Sequence, residues 1–180
     1  LSSFNYVVTY FTFNGVNYYL DASDDRLGFG KLLPQCYNGH ARLIDEVATA
    51  VHLSADSVLE RKVTALFITT DKDGIWIGSF NQTPGYYESL RVRSSIKKKG
   101  NETFFKDIEK EFGFDITLKN PKVDSLDNYN DPVSLKYEIQ LNAGNEDVIY
   151  INPMFGEGYK SNPFKSAERL YPVEMPFTSD

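Results

Sequence analysis

The sequence predicts an α+β fold, built mainly as an antiparallel β-sheet or sandwich with one or two helices around residues 85–112. Aromatic residues make up 14% of the chain, with 12 Tyr and 13 Phe, and this content favours β structure. Two hairpin patterns support the sheet, and an amphipathic aromatic stripe supports the helices. A length of 180 residues is enough for one substantial hydrophobic core.

The first predicted element is a hairpin within residues 4–23, where two β-rich runs flank Asn14-Gly15. Asn-Gly between alternating strands favours a type I′ turn, because both central residues need a positive φ. A two-residue loop fixes the register, which extends outward to Tyr6 opposite Ser23. One face then carries Tyr6, Val8, Tyr10, Tyr19 and Asp21. The other face, predicted to meet a core, carries Phe11, Phe13, Val16, Tyr18 and Leu20.

The next stretch, residues 24–39, is predicted to be a loop-rich link because glycine, proline and Asn-Gly interrupt it. Its apolar side chains are expected to be buried: Leu27, Phe29, Leu32 and Leu33. Residues 41–51 (ARLIDEVATAV) carry mixed signals that fit either a short helix or an extended segment.

A second hairpin is predicted from a strand at 59–70, a turn at 71–74 and a returning strand at 75–82. The side chains expected to point inward are Val63, Ala65, Phe67, Ile75 and Ile77. The turn sequence DKDG resembles the start of a calcium loop, but the twelfth position of such a loop would be Gln82 instead of Glu. We therefore interpret it as a plain hairpin turn.

Two helices are predicted between Gly85 and Phe112. The first has basic residues towards its C-terminus, where the helix dipole favours them, and Gly100 ends it. Asn101 is a good N-cap for the second helix. This second helix carries a stripe that we expect to lie in the core: Phe104, Phe105, Ile108 and Phe112.

Later segments complete the predicted sheet. Residues 115–119 form a short strand, 121–132 a polar loop, and 133–141 (VSLKYEIQL) a strand with one buried face. Residues 147–151 (DVIYI) are its expected partner. The tail from 152 to 180 carries four of the 8 prolines, which disfavour ladder pairing, so it is expected to lie over the sheet and finish in a strand near 170–177.

Composition restricts the class of partner. The net charge of −6 disfavours a nucleic-acid partner, which needs a basic surface, and the basic run Arg91–Lys99 is interpreted as a solvated helix face. No apolar run approaches the roughly 20 residues that span a bilayer, so no membrane span is predicted. The sequence begins within a strand pattern, and we interpret it as part of a longer chain.

Candidate reactive groups are few, and no cofactor is indicated. Cys36 lies four residues from His40, but this spacing in a glycine-containing loop defines no catalytic geometry. One Cys and two His, without carboxylates at ligand spacing, disfavour a zinc site. Cys36 is expected to be half buried by packing, and His40 and His52 are expected to lie at the surface.

The motif Leu20-Asp21-Ala22-Ser23, paired with a strand that contains Tyr6, resembles the end of the catalytic core of bacterial transglutaminase-like proteins, a papain-related family. In that family a strand beginning with His pairs with a strand ending in a Leu-Asp-Ala-Thr type motif, and this His and Asp belong to a Cys-His-Asp triad. Tyr6 occupies the His position, and the nucleophilic Cys would lie upstream of Leu1. The resemblance implies a degenerate pair, Tyr6 and Asp21, and no catalytic residue in this chain.

Further motifs extend the resemblance over most of the chain and are similar to the region that follows the core in large secreted members: residues 29–34 (FGKLLP), 36–39 (CYNG), 85–87 (GYY), 162–164 (NPF) and 168–173 (ERLYPV). The resemblance implies that residues 1–39 are the trailing hairpin and loop of a transglutaminase-like core. Residues 40–180 would then form a β-rich accessory domain, with 41–51 extended. A periplasmic or cell-surface location is implied by the resemblance alone.

Three functions stay open. The chain is a non-catalytic structural or interaction module whose partner is the upstream core of the parent protein; or it completes an active cysteine protease or amidase-like enzyme whose nucleophile lies upstream; or it binds a glycan or peptide. Tyr6 favours the first over the second, because a phenol with an ordinary pKa near 10 is a poor base at neutral pH. The third would use an aromatic platform, for which the candidates are Trp76, Tyr86, Tyr87, Tyr129 and Tyr159.

Overall fold

The structure is a computed structural model that describes residues 4, 6–112, 115–141, 161, 165 and 178–179. Its strands are β1 (Thr9–Phe13), β2 (Val16–Leu20), β3 (Ala41–Arg42), β4 (Ala50–Val51), β5 (Leu59–Glu60), β6 (Val63–Thr70), β7 (Trp76–Thr83), β8 (Ile116–Asp124), β9 (Ser134–Leu141) and β10 (Thr178–Ser179). Its α-helices are α1 (Tyr86–Lys99) and α2 (Asn101–Glu111). The predicted α+β class, with a mainly antiparallel sheet and helices near 85–112, is confirmed.

The hairpin of β1 and β2 turns at Asn14-Gly15 as predicted, and both turn residues have positive φ, at 49° and 76°. Phe13 lies opposite Val16, which is the predicted register. The predicted core face is wrong at the tip, because Phe13 is 61% exposed and Val16 is 52% exposed. Nearer the base, the rings of Phe11 and Tyr18 stack 5.1 Å apart. A hairpin of two strands has no second layer of its own, so burial is confined to its base.

The link after β2 is only partly buried. Leu32 is 2% exposed as expected. Phe29 was also expected to be buried but is 62% exposed, since its ring lies at the margin of the hairpin, against Phe11 and Tyr18. Leu27 and Leu33 are half buried. Residues 41–51 are extended and fold back as the antiparallel pair of β3 and β4, so the helical alternative is wrong.

The second hairpin pairs β6 with β7 across a turn in which the Asp71 carboxylate accepts from the amides of Asp73 and Ile75, both at 2.9 Å. The hairpin is confirmed, but the predicted inward face is wrong. All five residues expected inside are exposed: Val63, Ala65, Phe67, Ile75 and Ile77. The face that meets the core carries Leu66, Ile68, Trp76 and Phe80. Both faces of this hairpin are apolar, so alternation alone does not decide which one the helices cover.

The central sheet has the strand order β6-β7-β9-β8 and is antiparallel throughout. Strand β9 pairs with β7 on one edge and with β8 on the other. The partner predicted for it, residues 147–151, lies outside the described part of the chain. The last predicted strand, near 170–177, also lies outside it. Strand β8 continues through Pro121 into the predicted polar loop, and a register shift between Lys119 and Lys122 accommodates the proline.

Helix α2 packs against one face of this sheet and closes the core. The buried cluster consists of Phe80, Phe105, Phe112, Ile116, Leu135, Tyr137, Ile139 and Leu141. Phe80 and Tyr137 stack at its centre with ring centroids 4.7 Å apart. The predicted aromatic stripe of α2 therefore lies in the core, although the helix N-cap is Gly100 and not Asn101. Within the described residues, no helix combines the length and apolarity required to cross a bilayer.

The N-terminus of α1 is capped by a carboxylate from a distant strand. Glu60, at the end of β5, is 8% exposed, and its two oxygens accept the amide of Tyr87 at 3.1 Å and 3.0 Å. The Glu60 carboxylate lies so close to Gly85, the residue before the helix, that a Cβ at Gly85 would lie 2.1 Å from Glu60 Oε2. A negative group at a helix N-terminus is stabilised by the helix dipole and by unpaired amides. This contact fixes where α1 begins.

Gly85→Ala is expected to destabilise the protein by about 1–3 kcal/mol, because the new methyl group must displace a buried capping carboxylate. Glu60→Gln keeps an acceptor oxygen and loses only the charge, so it should cost about 0.3–1 kcal/mol. Urea unfolding followed by circular dichroism measures both. Glu111→Ala, at an exposed carboxylate, serves as the control and should change stability by less than about 0.5 kcal/mol. Equal stability of Gly85→Ala and the parent chain would contradict the capping contact.

Candidate functional site

Tyr6 and Asp21 are joined as the hairpin register predicts. The Tyr6 hydroxyl donates to Asp21 Oδ2 at 2.7 Å and also contacts the Ser23 hydroxyl. The Ser23 amide donates to the other carboxylate oxygen, Oδ1, at 2.9 Å. The pairing of β1 with β2 brings these groups to the same end of the hairpin. Both oxygens of Asp21 therefore already accept hydrogen bonds.

Electrostatics hold this pair in one protonation state. Burial acts to raise the pKa of Asp21, but hydrogen bonds from Ser23, Tyr6 and the Leu33 backbone outweigh it and keep the pKa below its ordinary value. The Ser23 hydroxyl acts to lower the pKa of Tyr6, but the hydrogen bond to Asp21, burial and the carboxylate charge together raise it. At neutral pH Asp21 is ionised and Tyr6 is protonated. Tyr6 therefore donates a hydrogen bond and does not serve as a base.

Cys36 lies closer to this pair than the sequence indicates. It ends the short 3-10 helix Pro34–Cys36 and is half buried, as predicted. Burial raises the pKa of the Cys36 thiol, and the Asp21 charge raises it further. A reactive cysteine needs the opposite environment, in which nearby positive charge favours the thiolate. Linear spacing gave no signal for this proximity, because the two groups come from different segments.

The histidines do not complete a catalytic group in the described part of the chain. His40 and His52 are both exposed, as predicted, and His52 Nδ1 lies 2.9 Å from the Gly39 carbonyl oxygen. Among the described residues no hydrogen bond joins either histidine to Cys36. The same residues contain no cluster of three or more His, Cys, Asp or Glu side chains placed to hold a metal ion.

Several candidates for the predicted aromatic platform take part in contacts within the fold. Trp76 packs against the core cluster. The buried Tyr87 donates its hydroxyl to the Leu32 carbonyl at 2.6 Å. The Tyr86 hydroxyl accepts from the Gly28 amide at 2.7 Å and donates to the Tyr129 carbonyl at 2.9 Å. The contacts of Tyr86 and Tyr87 hold separate segments of the fold together. Tyr159 lies outside the described residues.

The basic run on α1 is not uniformly solvated, because Arg93 is only 3% exposed. Its guanidinium donates to four backbone carbonyls of one loop, those of Ser125, Leu126, Asn128 and Asp131. The Tyr129 ring lies 5.7 Å from the guanidinium carbon. The interpretation of the whole run Arg91–Lys99 as a solvated face is therefore wrong at this position. Arg93 fixes the 125–131 loop against α1.

A cleft of about 850 Å³ opens between α1 and the segment 24–34. We call it the α1 cleft. Its apolar floor is formed by Leu33, Pro34, Tyr87 and Leu90, and its basic side chains are Arg26, Arg91, Lys97, Lys98 and Lys99. Asp24 and Asp25 also line it. A concave site of this size is typical of ligand pockets, which span about 300–1,000 Å³. The basic run is visible in the sequence, whereas the segment that packs opposite it leaves no pattern there.

Comparisons of the chain with family models, with curated proteins and with solved structures found no match. The resemblance to transglutaminase-like proteins and the domain boundary near residue 39 therefore stay predictions that rest on the sequence motifs.

Alkylation of Cys36 by iodoacetamide should be slow at neutral pH, because burial and the Asp21 charge disfavour the thiolate. The pH at which the alkylation rate reaches half its maximum, the midpoint, should be higher than for the same chain unfolded in urea. Asp21→Asn removes the nearby charge and should move the midpoint to lower pH. Asp73→Asn, in the distant turn between β6 and β7, is the matched control and should leave it in place. A midpoint below that of the unfolded chain would instead identify an activated thiolate.

Proposed function

We propose that the chain is a non-catalytic interaction module of a larger transglutaminase-like protein, with the upstream core of that protein as one partner. The observation that carries this proposal is the hydrogen bond between Tyr6 and Asp21. It joins the two positions that match the His and Asp of the family motif. The family resemblance also supports a periplasmic or cell-surface location.

The chemistry of these positions supports the non-catalytic reading. A Cys-His-Asp triad needs an imidazole that takes the proton of the thiol while the carboxylate orients the ring. Tyr6 instead donates its proton towards Asp21, and its raised pKa disfavours the phenolate, the only form of the side chain that could accept a proton from a thiol. Cys36, the one thiol in the chain, has its pKa raised and not lowered.

The first alternative is an active cysteine protease or amidase-like enzyme whose nucleophile lies upstream. That enzyme would require a different imidazole to reach Asp21. Both Asp21 oxygens already accept hydrogen bonds, from Tyr6 and from the Ser23 amide. An incoming imidazole would have to share or displace them, so this alternative has less support.

The second alternative is a peptide- or glycan-binding module, and one observation favours it. The α1 cleft joins an apolar floor to exposed cations, which is the combination that binding pockets use for affinity and orientation. Binding at this cleft is compatible with a non-catalytic module. The module would then have two partners, the upstream core and the ligand of the α1 cleft.

The purified chain is expected to show no acyl-transfer or hydrolase turnover with casein and an amine donor, because no thiolate is activated by a positioned imidazole. Incorporation of a fluorescent amine into casein, together with release of acid-soluble peptides, measures both activities. Cys36→Ala is the matched variant. Turnover by the parent chain that disappears in Cys36→Ala would contradict the proposal and assign a nucleophile to this chain.

A further inference from the structure

The geometry points to the α1 cleft as the binding site for a short, extended acidic peptide segment of a partner protein. The segment places an apolar side chain on the floor of the cleft and its carboxylates beside Arg91 and Lys98. This inference rests on the proposed interaction function and names the chemical class of a partner.

The walls of the cleft are held in place before any ligand binds. Tyr87 donates to the Leu32 carbonyl at 2.6 Å, and the Gly28 amide donates to the Tyr86 hydroxyl at 2.7 Å. The Arg26 side chain bonds to the Ser94 hydroxyl on α1. These contacts tie the 24–34 segment to the helix at several points. A preformed site loses less conformational entropy when a ligand binds.

One face of α1 presents the relevant side chains in a row. Tyr87, Leu90, Arg91, Ser94 and Lys98 follow helical spacing and all line the cleft. The apolar members lie towards the start of the helix, and Lys98 lies near its end. Arg91 and Lys98 are two turns apart, which corresponds to about 10 Å along the helix axis.

Charge pairing leaves two cations of the cleft available. Arg26 Nε lies 3.2 Å from a carboxylate oxygen of Asp24 and 3.2 Å from one of Asp25. Lys97 Nζ lies 3.4 Å from the other oxygen of Asp25. Lys99 pairs with Asp107 at 2.7 Å.

Arg91 and Lys98 are exposed, and neither makes an ion pair with any other residue that the structure describes. The chain as a whole has a net charge of −6, so two cations in one cleft, unpaired within the described residues, form a local positive site on an acidic protein. A ligand with two separated carboxylates complements them.

The shape and the floor favour a peptide over a polyanion. An extended peptide rises about 3.3 Å per residue and alternates its side chains between two faces, so carboxylates two or four residues apart, about 7 or 13 Å, lie on one face. The long, flexible side chains of Arg91 and Lys98 can adjust their separation of about 10 Å to either spacing. On the apolar floor, the half-buried Leu33 and Pro34 are available for contact with a hydrophobic side chain, beside the buried Leu90. Nucleic acids and sulfated glycans have no such side chain, and the net charge of −6 repels a long polyanion.

The test is selection of binders from a displayed library of random dodecapeptides on the purified chain. Affinities of the selected peptides are then measured by fluorescence polarisation. The cleft variant is Arg91→Glu/Lys98→Glu. The control variant is Lys72→Glu/Lys122→Glu, which makes the same change in net charge at exposed positions outside the cleft. Circular dichroism and urea unfolding confirm that both variants are folded, since all four side chains are exposed.

Selected peptides are expected to carry an apolar residue and at least two carboxylates. The cleft variant should weaken their binding by about tenfold or more, because it places like charges opposite the carboxylates. The control variant should change it by less than about twofold. Replacing the apolar residue of the peptide by Ser should also weaken binding.

The inference would be overturned by no enriched peptide, by enriched peptides without carboxylates, or by equal weakening of binding in both double variants. Stronger competition by heparin than by the selected peptide would also overturn it, in favour of a glycan. None of these results bears on the acyl-transfer assay, which tests the non-catalytic role independently.

Discussion

The buried Arg93 guanidinium is the interaction on which the arrangement around α1 depends. It donates hydrogen bonds to four carbonyls of the 125–131 loop. As the structure describes it, this loop has no helix or strand pairing that would supply donors for those carbonyls. A buried polar group left without a partner costs about 1–3 kcal/mol, so loss of these bonds would release the loop. Tyr86 then links that loop to Gly28, and Tyr87 links Leu32 to the same helix. One helix thus supplies partners for two separate stretches of backbone.

This anchoring has a functional consequence. The central sheet and α2 form the hydrophobic core, whereas the 24–34 segment is attached by the buried Leu32 side chain and by hydrogen bonds to side chains of α1. The space left between segment and helix is the α1 cleft, with an apolar floor and two available cations. At the other end of the same segment, the backbone of Leu33 bonds to Asp21, which also holds Tyr6. The structure therefore engages both oxygens of Asp21 in hydrogen bonds and leaves a cleft open beside the same segment.

Local chemistry made part of this structure predictable from sequence. Asn14-Gly15 sets a two-residue turn, and that turn alone places Tyr6 beside Asp21. Long-range packing was not predictable in the same way. Phe67 was expected inside because alternation defines two faces of a strand but does not show which face is covered. In the structure α2 covers the opposite face, and Phe67 is exposed. Arg93 was assigned to a solvated face because its acceptors are backbone carbonyls of a distant loop, which leave no pattern in the sequence. The α1 cleft was missed for the same reason.

Amide hydrogen exchange in Arg93→Met tests this account most directly, because Met keeps an apolar stem and removes the donors. The Gly28 and Phe29 amides are the reporters, since they bond to Tyr86 and to Asn130 of the anchored loop. Both reporters are expected to exchange faster than in the parent chain, while amides of β9 keep their protection. Unchanged exchange at the reporters, or an equal loss of protection throughout β9, would contradict the central role of Arg93.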